Sequence, residues 1–561
     1  MNMNPIMEIS VSDRIELEVR GMTCQGCANH LTTALESVVG VLHAEVRWED
    51  RYAIVEAKPA VADAQIVSAA AAAGYEATIT ERRTNQYAPA TPQDGASDFD
   101  LVVIGAGSAG FAAAIRGVDL GFRVALTGEG TLGGTCVNVG CVPSKTLIRA
   151  AHVWHQSGHH PFACVGTRQM MLDWETVRAD KDALVTAMRQ EKYADVLAAY
   201  PAITFIPGHT RFQRDGTVMV GDRRVTARRY VLTTGAVPRM VSIPGAAEAG
   251  VLTSTTVMDL PSLPGSMIVL GGRAVALELG QVMARFGVRV TILQRSASII
   301  PEHEPELGRM LTDCLKQEGI EVVTDAQVER IDVDERGRVV HARIGGRLAQ
   351  FRADEVLMSL GRQPRTDGLG LENVDVELDG NNAVRVDTQM RTSNSSIYAA
   401  GDVTDKPEFV YVAAAGGVVA AENALTGTDR ALDLAAMPAV IFTDPQVATV
   451  GLTESAARAA GLDVRTATLP LKHVPRAVVA RETRGVIKLV AEGGSGRLLG
   501  AHVVAADAGE VIQAAVLAVK FELRVDDLTG TLFPYLTMVE GLKLAAQAFS
   551  KDVAKLSCCA A

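Results

Sequence analysis

Eight cysteines occur in 561 residues, and six of them fall in three close pairs: Cys24/Cys27, Cys136/Cys141 and Cys558/Cys559. Cys164 and Cys314 stand apart. Eight are too few for a disulfide scaffold in so long a chain, so the pairs point to redox or metal chemistry in a reducing compartment. Cys136 and Cys141 lie in Gly133-Gly134-Thr135-Cys136-Val137-Asn138-Val139-Gly140-Cys141-Val142-Pro143-Ser144-Lys145. Four residues separate the two thiols, a spacing that can close a disulfide ahead of a helix starting near Pro143. A helix N-terminus and the Lys145 charge would both favour a thiolate there. Cys24-Gln25-Gly26-Cys27 is a C-x-x-C. That spacing serves soft-metal loops and thioredoxin-type redox sites alike, but the elements around it follow the wrong order for a thioredoxin. Cys558 and Cys559 are vicinal near the last residue, where a packing role is implausible. Soft thiolates select soft cations, and Hg(II) is softer than any first-row divalent ion.

The elements that would carry these thiols are readable from periodicity. Around the first pair the order is strand (Ile15–Val19), helix (His30–Val39), strand (Val41–Val46), strand (Tyr52–Glu56), helix (Ala62–Ala73) and strand (Tyr75–Thr80). Gly74 suits a left-handed cap on the second helix. This order predicts a ferredoxin-like α+β module over 11–81. A turn-forming, core-poor stretch follows at 82–97 and reads as a flexible linker. Beyond it, the apolar run Phe99–Ile104 leads directly into Gly105-Ala106-Gly107-Ser108-Ala109-Gly110 and a helical segment. In that fingerprint Gly105 makes the tight turn, Gly107 admits a pyrophosphate, and Gly110 lets helix and strand pack closely, with Ala109 between them. The acid expected after the next strand is displaced, leaving Glu129 one residue late as the candidate ribose ligand. A second run, Ser266–Leu270, leads into the degenerate Gly271-Gly272-Arg273-Ala274-Val275-Ala276. Its following strand ends in Gln294-Arg295, and an Arg in that place favours the 2′-phosphate of NADPH over NADH.

These readings give two Rossmann-like α/β domains, at 98–255 with 366–436 and at 256–365, and an α+β domain over 437–561. At about 150 residues per domain, four units agree with the length. A net charge of −11 argues against a nucleic-acid partner, and no uninterrupted apolar stretch is long enough to span a bilayer. The start MNMNPIMEIS lacks the basic flank and apolar core of a signal peptide, so a cytoplasmic protein is expected.

The string from Gly133 to Lys145 resembles the active-site motif of the flavin disulfide reductases, the family of glutathione reductase and dihydrolipoamide dehydrogenase. Thr234-Gly235 closing a strand and Thr392–Asp402 (TSNSSIYAAGD) extend the match from Asp98 to the C-terminus. The resemblance implies bound FAD, with Thr135 and Asp402 among its ligands, Cys141 as the flavin-proximal thiol and Cys136 as the exchanging one. It also implies a Lys145–Glu278 ion pair beside the flavin ring. One departure matters. In the family a His in the C-terminal domain shuttles protons for a dithiol substrate, whereas Tyr535 stands in its place in Phe533-Pro534-Tyr535. A phenol with a pKa near 10 cannot do that work near neutrality.

With Tyr535, the Cys558/Cys559 tail and an N-terminal module similar to heavy-metal-associated domains, the combination resembles the mercury-reducing branch of this family. That branch implies FAD- and NADPH-dependent reduction of Hg(II) to Hg(0). It implies Cys24, Cys27, Cys136, Cys141, Cys558 and Cys559 as ligands of the ion, and Tyr193 as a second tyrosine near the redox pair. It further implies a homodimer sharing its active sites, fed by Hg(II)–thiol complexes handed over by a transporter. The enzyme alternative is a dihydrolipoamide-dehydrogenase-like disulfide reductase, and the non-enzyme alternative is a soft-metal carrier or sensor.

Overall fold

A computed structural model describes residues 13–48, 50–58, 60–84, 97–162, 165–166 and 172–555. The tail pair Cys558/Cys559 and Cys164 lie outside the described residues, as do residues 85–96 of the linker stretch.

The N-terminal module is a four-stranded antiparallel sheet ordered Val41–Arg47, Tyr52–Ala57, Asp13–Arg20, Glu76–Thr84. Alternation decides its inner face: Ile15, Leu17 and Val19 are buried while Glu18 is exposed. Helices Gln25–Glu36 and Asp63–Ala72 supply Leu31, Leu35 and Ile66 to the same core. Gly74 takes φ +87° at the end of the second helix, where the N–H of Tyr75 reaches back to the carbonyl of Ala70. The last strand runs to Thr84, paired with Asp13, so the sheet continues past residue 81.

The first nucleotide unit is a five-stranded parallel sheet ordered Ile397–Ala399, Ala227–Leu232, Phe99–Ile104, Val124–Gly128, Ile203–Pro207. Leu101 to Ile104 are all buried, as a strand covered on both faces requires. The chain leaves this sheet for the second unit and returns to it at Ile397. The second unit is a parallel sheet ordered Glu321–Val323, Arg289–Leu293, Ser266–Leu270, Glu355–Met358. A three-stranded antiparallel meander, Ala326–Asp334, Gly337–Ile344 and Arg347–Ala353, precedes its last strand. The C-terminal unit is a five-stranded antiparallel sheet ordered Pro438–Ile441, Gln446–Gly451, Leu498–Ala505, Val486–Glu492, Val464–Pro470, backed by the helix Ala508–Lys520. Leu517, Phe521, Leu532, Tyr535 and Leu536 of this unit are exposed, an apolar surface of the kind that marks an interface.

Candidate redox site

The two central thiols sit on consecutive helices. Cys136 is inside the short helix Gly134–Val139, and Cys141 is the first residue of the helix Cys141–Gly158. Gly140 joins them, and a Cβ there would stand 2.9 Å from the carbonyl of Thr135. The second helix starts two residues before Pro143, whose missing N–H falls among the first four that have no intrahelical acceptor. The two thiols are free and electrostatically coupled, and the coupling shifts them in opposite directions. The contact with Cys136, helped by the Lys145 ammonium one turn along the helix, holds Cys141 down to about 7. The same contact, with burial, pushes Cys136 well above the ordinary thiol range. Cys141 is therefore the thiolate of the pair. In the reduced protein its alkylation by iodoacetamide should be half-maximal near pH 7, falling below that pH as the sulfur protonates. Lys145→Met should move that midpoint upward. A wild-type midpoint near the unperturbed 9.0 would contradict the assignment.

Lys145 Nζ donates to Glu278 Oε2 at 2.7 Å, joining the redox helix to the helix Ala274–Arg285 that follows the second glycine motif. Tyr193 lies in a π-helical turn, Gln190–Ala194. Such a turn inserts a residue into the helical repeat and re-aims the side chains after it. The Tyr193 ring meets Phe111 edge-on at 5.0 Å, and its hydroxyl is 3.1 Å from Ser108 Oγ. Burial raises its pKa, and charge on Cys136 and Cys141 raises it further, so it stays a neutral O–H beside the sulfurs.

The glycines form a cradle that side chains would fill. A Cβ on Gly105 would lie 2.3 Å from the carbonyl oxygen of Thr233, and one on Gly110 would lie 1.8 Å from that of Gly105. Gly107 faces Gly134 with only ordinary contact for an added Cβ at 3.6 Å, which leaves its backbone approachable. Helix Ser108–Asp119 starts there, and Ala109 lies under the crossing helix Val410–Thr426, where a Cβ on Gly417 would meet its carbonyl at 2.2 Å. Asp402 is desolvated, which raises its pKa, and its nearest cation is Arg362 Nε at 3.6 Å, a nitrogen that itself has no hydrogen-bond partner. Arg362 also reaches Thr135 Oγ1 at 3.4 Å. A partly buried, desolvated carboxylate and a buried N–H short of a partner, next to a glycine cradle, fit a hydroxyl-rich dinucleotide such as FAD. Glu129 follows the strand Val124–Gly128 and pairs with His209 Nδ1 at 3.1 Å on the surface.

In the second unit Gly271 takes φ +116°, and a Cβ there would lie 2.4 Å from the carbonyl of Ser359. Arg295 is exposed beyond the strand Arg289–Leu293. In the N-terminal module Cys24 caps the helix Gln25–Glu36, and its sulfur is 3.6 Å from that of Cys27. Hydrogen bonds from Thr23 and Cys24 lower the Cys27 pKa to about 6. Tyr535 is exposed on the C-terminal unit. Sequence reasoning did not single out Ser108, Arg362 or the π turn. Only the three-dimensional arrangement brings them to the thiols and to Asp402.

Residues 99–417 match the pyridine nucleotide-disulphide oxidoreductase family, 437–546 its dimerisation domain, and 16–76 the heavy-metal-associated domain. Mercuric reductase of Bacillus cereus is 43% identical, over 98% of this chain and 87% of that protein. Mercuric reductase of Acidithiobacillus ferrooxidans is 44% identical, over 97% of this chain and 98% of its own length. The chain belongs to the mercuric reductase family. Mercuric reductase of Shigella flexneri is 43% identical over 97% of this chain and 99% of its own. Among solved structures, the HOCl-induced flavoprotein disulfide reductase RclA of Escherichia coli, as its Cu(II) complex, is similar with a TM-score of 0.73 and 30% identity. That match covers 81% of this chain and 99% of RclA. As a member of the mercuric reductase family the chain is an oxidoreductase that uses a flavin and a pyridine nucleotide, with a domain for homodimer formation. No helix among the described residues is long and apolar enough to cross a membrane.

Proposed function

We propose that this chain reduces Hg(II) to Hg(0) with FAD and NADPH, and that Cys136 and Cys141 hold the ion for reduction. The observation that carries this reading is the polarised thiol pair, one sulfur a thiolate near neutrality, on a helix tied through Lys145 to Glu278. Bound flavin supplies two-electron transfer from NADPH to the thiol-held ion. Cys136, the exchanging thiol, attacks a thiol-bound Hg(II) and displaces one ligand, which takes up the Cys136 proton and leaves as thiol. Cys141, the flavin-proximal thiolate, displaces the second ligand, which leaves as thiolate. Each exchange forms one Hg–S bond as it breaks another, so the ion is never bare. Two electrons then convert Hg(II) to Hg(0), both Hg–S bonds break, and the cysteines are left as thiolates. Lys145 stabilises negative charge on Cys141, and Tyr193 offers a neutral hydroxyl beside the sulfurs. In the dinucleotide sites Gly105, Gly107, Ala109, Gly110, Thr135, Asp402 and Glu129 hold FAD, while Gly271 and Arg295 hold NADPH.

Arg295 has no hydrogen-bond or ion-pair partner among the described residues, so its guanidinium is available to a 2′-phosphate. Losing one charge-assisted contact of about 1.5–3 kcal/mol should raise the KM for NADPH about tenfold or more in Arg295→Glu and narrow the preference over NADH. Equal efficiency of the unsubstituted protein with both nucleotides would contradict this.

Cys24 and Cys27 act as a tethered donor of the ion, and Cys558 and Cys559 as the collecting pair. Within a homodimer, the tail and Tyr535 of one subunit complete the other's site. The thiols depend on a reducing cytoplasm, where a transporter can hand over the ion. Replacing Cys558 and Cys559 with Ala should slow turnover of Hg(II) on bulky thiols about tenfold or more relative to Hg(II) bromide, because a collecting pair carried on the same chain raises the local concentration of ion at the site. Flavin reduction by NADPH should not change. Unchanged rates with bulky thiols would remove the tail from the route.

A further inference from the structure

The turn between the strands Pro438–Ile441 and Gln446–Gly451 belongs to the C-terminal unit, yet it is fastened to the Lys145–Glu278 pair. The Phe442 N–H donates to Glu278 Oε1 at 2.9 Å, leaving Oε2 to accept from Lys145. The Lys145 ammonium also stands 4.6 Å from the centroid of the Phe442 ring. Two residues on, Asp444 and Gln281 exchange a reciprocal pair of hydrogen bonds, at 2.8 and 2.9 Å, about one helical turn beyond Glu278. The Asp444 carboxylate accepts from Arg285 Nη2 at 2.8 Å and meets His152 Nδ1 at 2.9 Å. His152 is about two turns beyond Lys145 on the redox helix. Arg285 is held in turn by Glu318 at 2.7 Å, and both are buried. The turn thus grips the redox helix and the helix Ala274–Arg285 together, along several turns of each.

We propose that Phe442–Asp444 is a positioning clamp on the Lys145–Glu278 pair, with the Phe442 ring holding the Lys145 ammonium where its charge acts on the flavin. The inference rests on the proposed flavin-dependent function and on the family resemblance, which implies that this pair lies beside the bound flavin. Lys145 alone would be poorly confined, because its side chain is 35% exposed and an ammonium on a four-carbon stem has many rotamers. The ring supplies an electrostatic seat on one side while Glu278, 6% exposed and fixed by the Phe442 N–H, supplies it on the other. Asp444 holds the turn in register with both helices. The clamp also links the dimer-forming unit to the redox centre.

The test is the midpoint potential of the bound flavin. It is measured in the full-length holoprotein carrying Cys136→Ala and Cys141→Ala, so that the flavin is the couple observed and mercury takes no part. A positive charge held beside the flavin favours its reduced, more negative form. Phe442→Leu keeps the backbone donor and an apolar side chain but removes the ring. It should weaken flavin reduction about fivefold, which is about 20 mV at about 30 mV per tenfold for two electrons. Phe442→Tyr restores the ring and should restore the potential. Lys145→Met should lower it more than Phe442→Leu does. If Phe442→Leu fails to fold, Phe442→Met makes the same comparison. A potential unmoved by Phe442→Leu but lowered by Lys145→Met would overturn the clamp and leave the site intact. A potential unmoved by Lys145→Met would overturn both the clamp and the placement of the pair beside the flavin.

Discussion

Alanine at Cys136 or at Cys141 should lower Hg(II)-dependent NADPH oxidation by at least about 1,000-fold, roughly 4 kcal/mol of lost transition-state stabilisation, with the flavin still bound. The two sulfurs supply both ligands of a two-coordinate soft ion, and one sulfur cannot complete the exchange. Flavin retention follows from the separation of tasks: the cradle at Gly105–Gly110 and the Asp402–Arg362 contact do not use either sulfur. Cys141→Ala should also abolish the alkylation step titrating near pH 7, whereas Cys136→Ala should move it upward, because the contact that most lowers Cys141 is lost. Turnover within tenfold of the unsubstituted protein in either variant, measured at low thiol concentration, would remove the pair from the chemistry.

The second large effect separates packing from ligand approach within one glycine motif. Gly110→Ala should cost about 3 kcal/mol or more and yield a destabilised protein without flavin. Its Cβ would sit 1.8 Å from the backbone oxygen of Gly105, which cannot swing aside like a flexible side chain. Gly107→Ala should fold normally, since its Cβ meets only Gly134 Cα at 3.6 Å, yet it should bind FAD about tenfold or more weakly. Thermal unfolding of the apoproteins and FAD titration distinguish the two. Equal behaviour of the two variants would mean that the motif is a packing device alone.

Much of this was legible along the chain because the governing physics is local. Ile15, Leu17 and Val19 alternate with polar residues, and that alternation alone puts them inside the small module. Gly105 and Gly110 announce a strand-to-helix turn by their spacing, and the added-Cβ contacts give the reason. The start of the redox helix was displaced by two residues, since Pro143 suits any of the first helical positions and only the Gly140 backbone fixes which one. The unread features are those that join distant segments. Tyr193 sits in an ordinary helical pattern, and nothing in that pattern reveals a π turn aiming it at Ser108. Arg362 and Asp402 meet only after the chain returns to the first sheet through the strand Ile397–Ala399, and Phe442 reaches Glu278 from another domain. Glu278 was readable only through family resemblance, since no periodicity links it to Lys145.

The central claim is that the polarised pair serves a metal ion rather than a disulfide substrate. It is tested most directly by supplying the full-length flavoprotein with NADPH and either thiol-bound Hg(II) or oxidised lipoamide, while measuring NADPH consumed and Hg(0) released. One Hg(0) per NADPH with Hg(II), and negligible turnover with lipoamide, is the expected result. Sustained NADPH oxidation with lipoamide, and no Hg(0) from Hg(II), would contradict the account.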